Sequence, residues 1–241
     1  MIIAFEGIDG AGKNTLVTAL EAELIAREIP VARLAFPRYE TSVHAQLAAA
    51  ALHGEMGDLV DSVHGMATMF ALDRAEVAAE LAGFDEDGYV VLLDRWVASN
   101  AAYSAARLSQ DAVTGTGEAT GEDGEGPVSG EVVAWVEDLE FAQLGVPFPD
   151  LQVLVDVPDS VTARRVASRA EQDTDREVDA YEADGGLQAR TLAAYRALAA
   201  AHWNSPWIVL DNSGDRSALD GQLTELADAV EETVAGAPAE D

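Results

Sequence analysis

Two kinds of apolar run alternate along the chain. Short continuous runs read as strands buried on both faces, and longer stretches with apolar residues three and four apart read as helices. Residues 2–5 (IIAF) end at Glu6-Gly7, pass through a glycine-rich turn, and give way to Leu16, Leu20 and Leu24 with Ala19 and Ala22 between them. That is strand, loop, helix. Pro30 opens a second strand, VARLAF, which Pro37 stops. Helical spacing returns over 41–52 and over 59–82, the latter with Val63, Met66, Ala67, Phe70 and Leu81. YVVLLD (89–94) is a third strand, and a helix is expected from Ala98 to Leu108. Residues 114–130, TGTGEATGEDGEGPVSG, offer little to bury and read as a disordered or mobile acidic loop. A helix from Glu131 to Leu144, the strand LQVLVDV, and a helix from Pro158 to the polar hinge QDTDRE follow. Helical spacing over 181–201, the strand WIVLD (207–211) and an amphipathic helix over 216–234 complete the pattern, with a fraying tail over 235–241. Five strands alternating with helices predict an α/β protein, a single domain over 1–241 built on a five-stranded parallel sheet covered by helices on both faces.

Charge narrows the possible partners. The 241 residues include 14 Lys+Arg against 44 Asp+Glu, a formal charge of -30. A balance this acidic argues against broad binding to nucleic acid or to an anionic membrane, since phosphate contacts need a basic face. Adaptation to high salt and an arginine-favouring codon bias account for it equally well. With no cysteine, and with His44, His53, His64 and His202 at spacings unsuited to a metal, any metal ion is expected to be a hard, oxygen-bound cation. The N-terminal apolar run is too short for a signal segment, and no stretch reaches the roughly 18 apolar residues of a membrane span, so a cytoplasmic location is expected. A hydrophobic share of 49 % still supplies a full core.

The sole lysine in the chain is Lys13, within GIDGAGKNT (7–15), between the first strand and the first helix. In that context the segment is a P-loop: glycines let backbone N–H groups close around phosphate oxygens, the helix N-terminus adds its dipole, and the lysine adds a mobile ammonium. Gly7, Gly10, Ala11, Gly12, Lys13, Asn14 and Thr15 are the expected ATP-binding residues. Asn14 stands where Ser or Thr usually offers Mg²⁺ a hydroxyl. Asp9 is a carboxylate facing a polyanion, which suits contact with a magnesium shell or a substrate hydroxyl.

Further candidates fall at the carboxyl ends of the strands, where open α/β sheets bind ligands. Asp94-Arg95 follows the third strand, with Trp96, Ser99, Asn100 and Tyr103 at helical spacing beyond it, and Phe36-Pro37-Arg38-Tyr39 follows the second. Phe70 and Arg74 share one helix face. Aromatic plates and arginines at two strand edges suit a planar, phosphorylated second ligand. Arg164, Arg165, Arg169 and Arg176 cluster among Glu171, Asp173, Asp175, Glu177, Asp179 and Glu182. This stretch, about 164–182, is either a mixed, solvated helix face or a mobile lid that closes over a transferring phosphoryl group.

The stretches FEGIDGAGKNT, LAFPRYETSV, ALHGE, MATMFALDRAE, LLDRWVASNAAYSAARL and DREVDAYE together resemble the thymidylate kinase family, most closely its actinobacterial branch. The resemblance spans nearly the whole chain and implies phosphorylation of dTMP to dTDP by ATP with Mg²⁺, on the way to dTTP, by a homodimer. It further implies that Phe70 stacks on thymine, that Arg74 and Asn100 bond its edge, and that Tyr103 crowds the sugar 2′ position. Arg95, with Phe36, Arg38 and Tyr39, would hold the acceptor. Asp9 would approach the 3′-hydroxyl and the metal, Lys13 the donor phosphates, and Asp179 and Glu182 the magnesium neighbourhood. Where one branch of the family carries an arginine in the P-loop, this chain has Gly10, so that Arg165, Arg169 and Arg176 of the lid would serve catalysis. Trp96 replaces the more frequent tyrosine, and 114–130 lies outside the family pattern. Two other readings are a deoxynucleoside kinase with a hydroxyl acceptor and a nucleotide-binding switch, although no NKxD-type guanine motif is present.

Overall fold

In the computed structural model, residues 1–118, 125–157, 180–214 and 216–236 are described. The five expected strands, β1 (Ile2–Glu6), β2 (Val31–Ala35), β3 (Val90–Asp94), β6 (Leu151–Asp156) and β7 (Trp207–Asp211), form one parallel sheet in the order β2-β3-β1-β6-β7. β1 lies at its centre, with Ile3 opposite both Leu92 and Leu151. Every residue of β1 is buried, which is why its apolar run is continuous rather than alternating. The chain leaves β1 through the P-loop into α1 (Lys13–Ala26) and crosses over β3 to reach β2, so the carboxyl ends of β1 and β3 border a crevice.

The remaining elements shape that crevice. α2 (Val43–Leu52) and α3 (Val63–Ala75) bury Ala48, Ala51, Leu52 and Met66 against each other, a small apolar cluster apart from the main core, with Phe70 and Tyr181 packed on it. α5 (Val97–Leu108) is rich in alanine, and its buried Ala98, Ala101, Ala102 and Ala105 let neighbouring helices approach closely.

Several boundaries differ from the sequence expectation. The single helix expected over 59–82 divides into a 3₁₀ turn (Leu59–Asp61), α3 and α4 (Ala78–Glu86). The Ser62 side chain accepts from the Gly65 N–H at 3.0 Å and starts a new helix, a cap that apolar periodicity does not register. Likewise Asp184 accepts from Leu187 N–H at 3.0 Å, separating α7 (Ala180–Ala183) from α8 (Gly185–Ala200). The helix expected to reach Leu144 is α-helical only over α6 (Glu131–Glu137) and continues as a π turn, Asp138–Gln143. The loop expected over 114–130 is corrected in part: β4 (Val113–Glu118) and β5 (Glu125–Ser129) pair antiparallel, with Gly117 opposite Gly126. The β-branched Val113, Thr114 and Thr116 favour strand, a signal outweighed in composition by glycine and acid. α9 (Arg216–Gly236) closes the described chain. The helix expected from Pro158, and with it the arginine cluster, lies outside the described residues.

Candidate active site

The P-loop begins where β1 ends, and two of its glycines are required by geometry. At Gly7, with φ +142°, a Cβ would stand 2.8 Å from the Val155 carbonyl oxygen of β6. At Gly12, the residue before α1, φ is 98°. Both conformations are costly for any residue with a side chain. The Asn212 amide, beyond β7, donates to the Ala11 carbonyl at 2.6 Å and ties the loop to the next strand end. The Lys13 ammonium donates to the Gly7 and Ile8 carbonyls, each at 3.0 Å. Burial, together with the positive charge of Arg95, pulls the Lys13 pKa down to about 8 against the opposing carboxylates of Asp9, Asp94 and Glu6.

Beside the loop, Arg95 is held with φ 69°, a left-handed conformation rare for a residue with a side chain and costing about 1–3 kcal/mol. Its N–H donates to the Phe5 carbonyl at 2.9 Å, and the next residue's N–H donates to Glu6 Oε1 at 2.8 Å, which together fix the turn. The guanidinium then reaches over the loop to Asp9 Oδ1 at 2.6 Å, the Gly7 carbonyl at 3.0 Å, and the Ser99 and Tyr195 hydroxyls, each at 3.3 Å. Tyr103 donates to the other Asp9 oxygen at 2.9 Å. Burial works against ionisation of Asp9, but the charges of Arg95 and Lys13 prevail and hold its carboxyl well below the usual range. Beneath Arg95 the fully buried Glu6 accepts from Ser99 at 2.6 Å and Tyr195 at 3.1 Å, and burial raises its pKa.

A cavity of about 360 Å³ runs from the P-loop across α5 to α3. It suits a small ligand in size. Asp9, Gly10, Gly12, Lys13, Asn14, Thr15, Phe36, Tyr39, Phe70, Arg74, Arg95, Asn100 and Tyr103 all line it, so one space gathers most of the residues singled out in the sequence. At the end away from the loop, Arg74 donates to both oxygens of Glu140, at 2.5 and 2.7 Å, and Asn100 donates to Glu140 and to the Ala67 carbonyl.

Other candidates are placed differently. Arg38 is not among the lining residues, and its side chain donates to Asp73 and Glu76, with 2.9 Å from Nε to Asp73 Oδ1. The Asn14 amide oxygen accepts from Arg33 rather than turning inward alone. Trp96 is fully buried edge-on to Phe36 with its indole N–H on the Pro147 carbonyl at 3.1 Å. Arg165, Arg169, Arg176 and Asp179 lie outside the described residues, as does the side chain of Glu182 in α7.

Sequence reasoning missed Glu6, Asp73, Glu140, Gln188 and Tyr195. Two of these had a signal: Glu6 ends a continuous apolar strand, and Glu140 continues the buried spacing of Val133 and Val136. An acid on a buried stripe requires a buried partner. Gln188, whose side-chain amide donates to Asp9 Oδ2 at 3.5 Å, and Tyr195 both come from α8, which packs on α5.

As for magnesium, Asp9 and Asp94 are carboxylates that line the cavity with Lys13, and among the described residues no group of three His, Asp or Glu forms a protein cage. This hard-oxygen set fits Mg²⁺, which keeps several waters and takes one or two carboxylates besides substrate phosphates.

A glycine-rich loop between the central strand of a parallel sheet and its first helix, opening into a cleft with separate polar ends, defines the class as the P-loop nucleotide kinases. Known proteins resolve the class further. A family model described as thymidylate kinase matches residues 5–119. A thymidylate kinase of Mycobacterium tuberculosis is 48 % identical over 92 % of this chain and 97 % of its own length. Those of Leifsonia xyli and Akkermansia muciniphila are 33 % and 31 % identical over 83 % and 86 % of this chain, covering 82 % and 81 % of their own lengths. The chain belongs to the thymidylate kinase family.

Proposed function

We propose that this protein transfers the γ-phosphoryl group of ATP to dTMP, giving dTDP and ADP. The observation that carries the reading is one cavity lined both by Lys13 and Arg95, which would take phosphates, and by Phe70, Arg74 and Asn100, which would take the base. An acceptor monoester has a second pKa of about 6, so it is already anionic near neutrality and needs no strong base. Catalysis is then positioning and charge stabilisation. Lys13 meets the donor phosphates, and Arg95 brings the like-charged acceptor into line. Asp9 orients Arg95 and Tyr103 beside the sugar. Mg²⁺, when bound, would neutralise the donor phosphates, with Asp9 and Asp94 the residues that would hold it; the family resemblance adds Asp179 and Glu182 as candidates. A hydroxyl acceptor would need a carboxylate ready to take a proton, a role that the depressed pKa of Asp9 disfavours.

The lid arginines Arg165, Arg169 and Arg176 complete the proposal by stabilising the transferring group. At least one of them, changed singly to alanine, should lower kcat about 100-fold with a much smaller change in the KM for dTMP. A homodimer is proposed from the family resemblance and a cytoplasmic location from the sequence; among the described residues no helix is long and apolar enough to cross a membrane. A coupled ADP-release assay over dTMP, dUMP, dCMP and thymidine tests the assignment. dTMP should have the highest kcat/KM, and faster turnover of thymidine would refute it.

A further inference from the structure

The base end of the cavity contains a carboxylate that phosphoryl transfer does not require. Glu140 is fully buried in the π turn Asp138–Gln143 that continues α6. Its oxygens accept from Arg74 Nε at 2.5 Å and Nη2 at 2.7 Å, and Oε1 also accepts from Asn100 Nδ2 at 2.7 Å. Asn100 Nδ2 gives its other hydrogen to the Ala67 carbonyl at 2.9 Å. Carboxylate and carbonyl are both acceptors only, so the nitrogen of the Asn100 amide is unambiguous, and holding it between two acceptors turns the amide oxygen away from both. On Arg74 the same carboxylate engages Nε and Nη2 and leaves Nη1. Both residues line the cavity. Of the polar atoms of these two residues, the contacts with Glu140 and Ala67 leave to a ligand one group of each kind, the Asn100 oxygen as an acceptor and the Arg74 Nη1 as a donor.

This order matters because pyrimidines differ in the complementary edge. Thymine and uracil present an N3–H donor beside the O4 acceptor, whereas cytosine presents a bare N3 acceptor beside an N4 amino donor. We propose that Glu140 is the positioning residue for pyrimidine discrimination: by accepting from both Arg74 and Asn100 it fixes an acceptor–donor pair that matches N3–H and O4 and mismatches cytosine. The inference rests on the reading of this cavity as the dTMP site. π turns are rare and frequently lie at functional sites, and here one carries the acid.

The test compares wild type, Glu140→Gln and Glu140→Asp in kcat and KM for dTMP and dCMP at saturating MgATP. Wild type should favour dTMP by at least about 100-fold in kcat/KM. Little preference would overturn the site reading and, with it, the role of Glu140. Glutamine brings an N–H₂ toward Asn100 and removes the enforced order. Glu140→Gln should raise the KM for dTMP about tenfold or more, leave kcat within about threefold, and cut the dTMP-to-dCMP ratio about tenfold. Glu140→Asp remains acceptor-only and should keep that ratio within about threefold of wild type, even where kcat/KM falls for both substrates. With wild-type preference intact, proportional losses for both nucleotides in Glu140→Gln, or lost discrimination in Glu140→Asp, would show Glu140 to be purely structural. If neither variant folds, N3-methyl-dTMP on wild type decides: weak binding supports the acceptor at N3, and binding as tight as dTMP overturns it.

Discussion

The two ends of the cavity solve related problems in different ways. Each has an arginine joined to a carboxylate, Arg95 with Asp9 and Arg74 with Glu140. The Arg95–Asp9 pair is partly open to water, with side-chain exposures of 13 % and 29 %, and Arg95 uses its other donors on Gly7, Ser99 and Tyr195. Beside it, the Lys13 ammonium donates to the neutral carbonyl oxygens of Gly7 and Ile8, so this end holds positive charge that an incoming phosphate can use. The Arg74–Glu140 pair is closed, at 4 % and 0 %, and bidentate. A polyanion is met by charge that it helps to neutralise, and a neutral base is met by direction without net charge.

The sharpest way to break the comparison is to remove each arginine. Arg95→Ala should lower kcat/KM for dTMP about 10²- to 10³-fold while shifting Tm by only a few degrees, since its pair is partly solvated. Arg74→Ala should do the reverse: a buried Glu140 left unpaired costs about 3–5 kcal/mol, or roughly 10 °C in a chain of this size, with a smaller effect on kcat. Steady-state kinetics and thermal unfolding on the same two preparations check both. Equal Tm losses would erase the distinction between the two ends.

A smaller effect should come from proton linkage at the phosphate end. The folded pKa of Lys13, about 8, lies below the ordinary lysine value of 10.5, so between those pH values the unfolded chain holds more protons. The cost of burying this ammonium is therefore fully present below about pH 8 and relieved as pH rises toward 10.5. Triphosphate favours the charged form, so ATP binding near pH 8.5 should take up protons. Calorimetry in buffers of different ionisation enthalpy would report the uptake as a buffer-dependent heat, and its absence would contradict the coupling. The smallest effect is expected in the hairpin, none of whose described residues lines the cavity. Deleting 115–128 should change Tm by less than about 2 °C and leave activity near wild type, because the deletion spares Ser129, which accepts from Trp203 at 3.1 Å. A large loss would make the hairpin an integral part of the fold.

Reading the chain alone found the five sheet strands and the P-loop, and the structure brings Lys13, Asp9, Phe70, Arg74, Arg95, Asn100 and Tyr103 into the lining of one cavity. Where it failed, the competing signal was local and polar. Ser62 and Asp184 cut long apolar stretches with caps, and the β-branched residues of 113–118 formed a strand despite their glycine neighbours. Arg38 shows the opposite failure. Its position after β2 pointed to the cleft, but the buried Asp73 on α3 accepts both its backbone N–H and its Nε, each at 2.9 Å, and draws it to the wall.

The sequence by itself determined the order of strands and helices and the identity of the phosphate loop. Both are written in consecutive residues, as a continuous apolar run or as glycines at fixed offsets from a lysine. Only the tertiary structure decided which charge meets which. Arg74 finds Glu140 across 66 positions, Arg95 finds Asp9 across 86, and Glu6 finds Tyr195 across 189. Periodicity says that a side chain faces inward, but its partner is chosen by the crossover that sets β1 between β3 and β6 and by the helices that pack on that sheet. Among so many acids the sequence offers many possible partners, and burial leaves each arginine with the few whose desolvation it can offset.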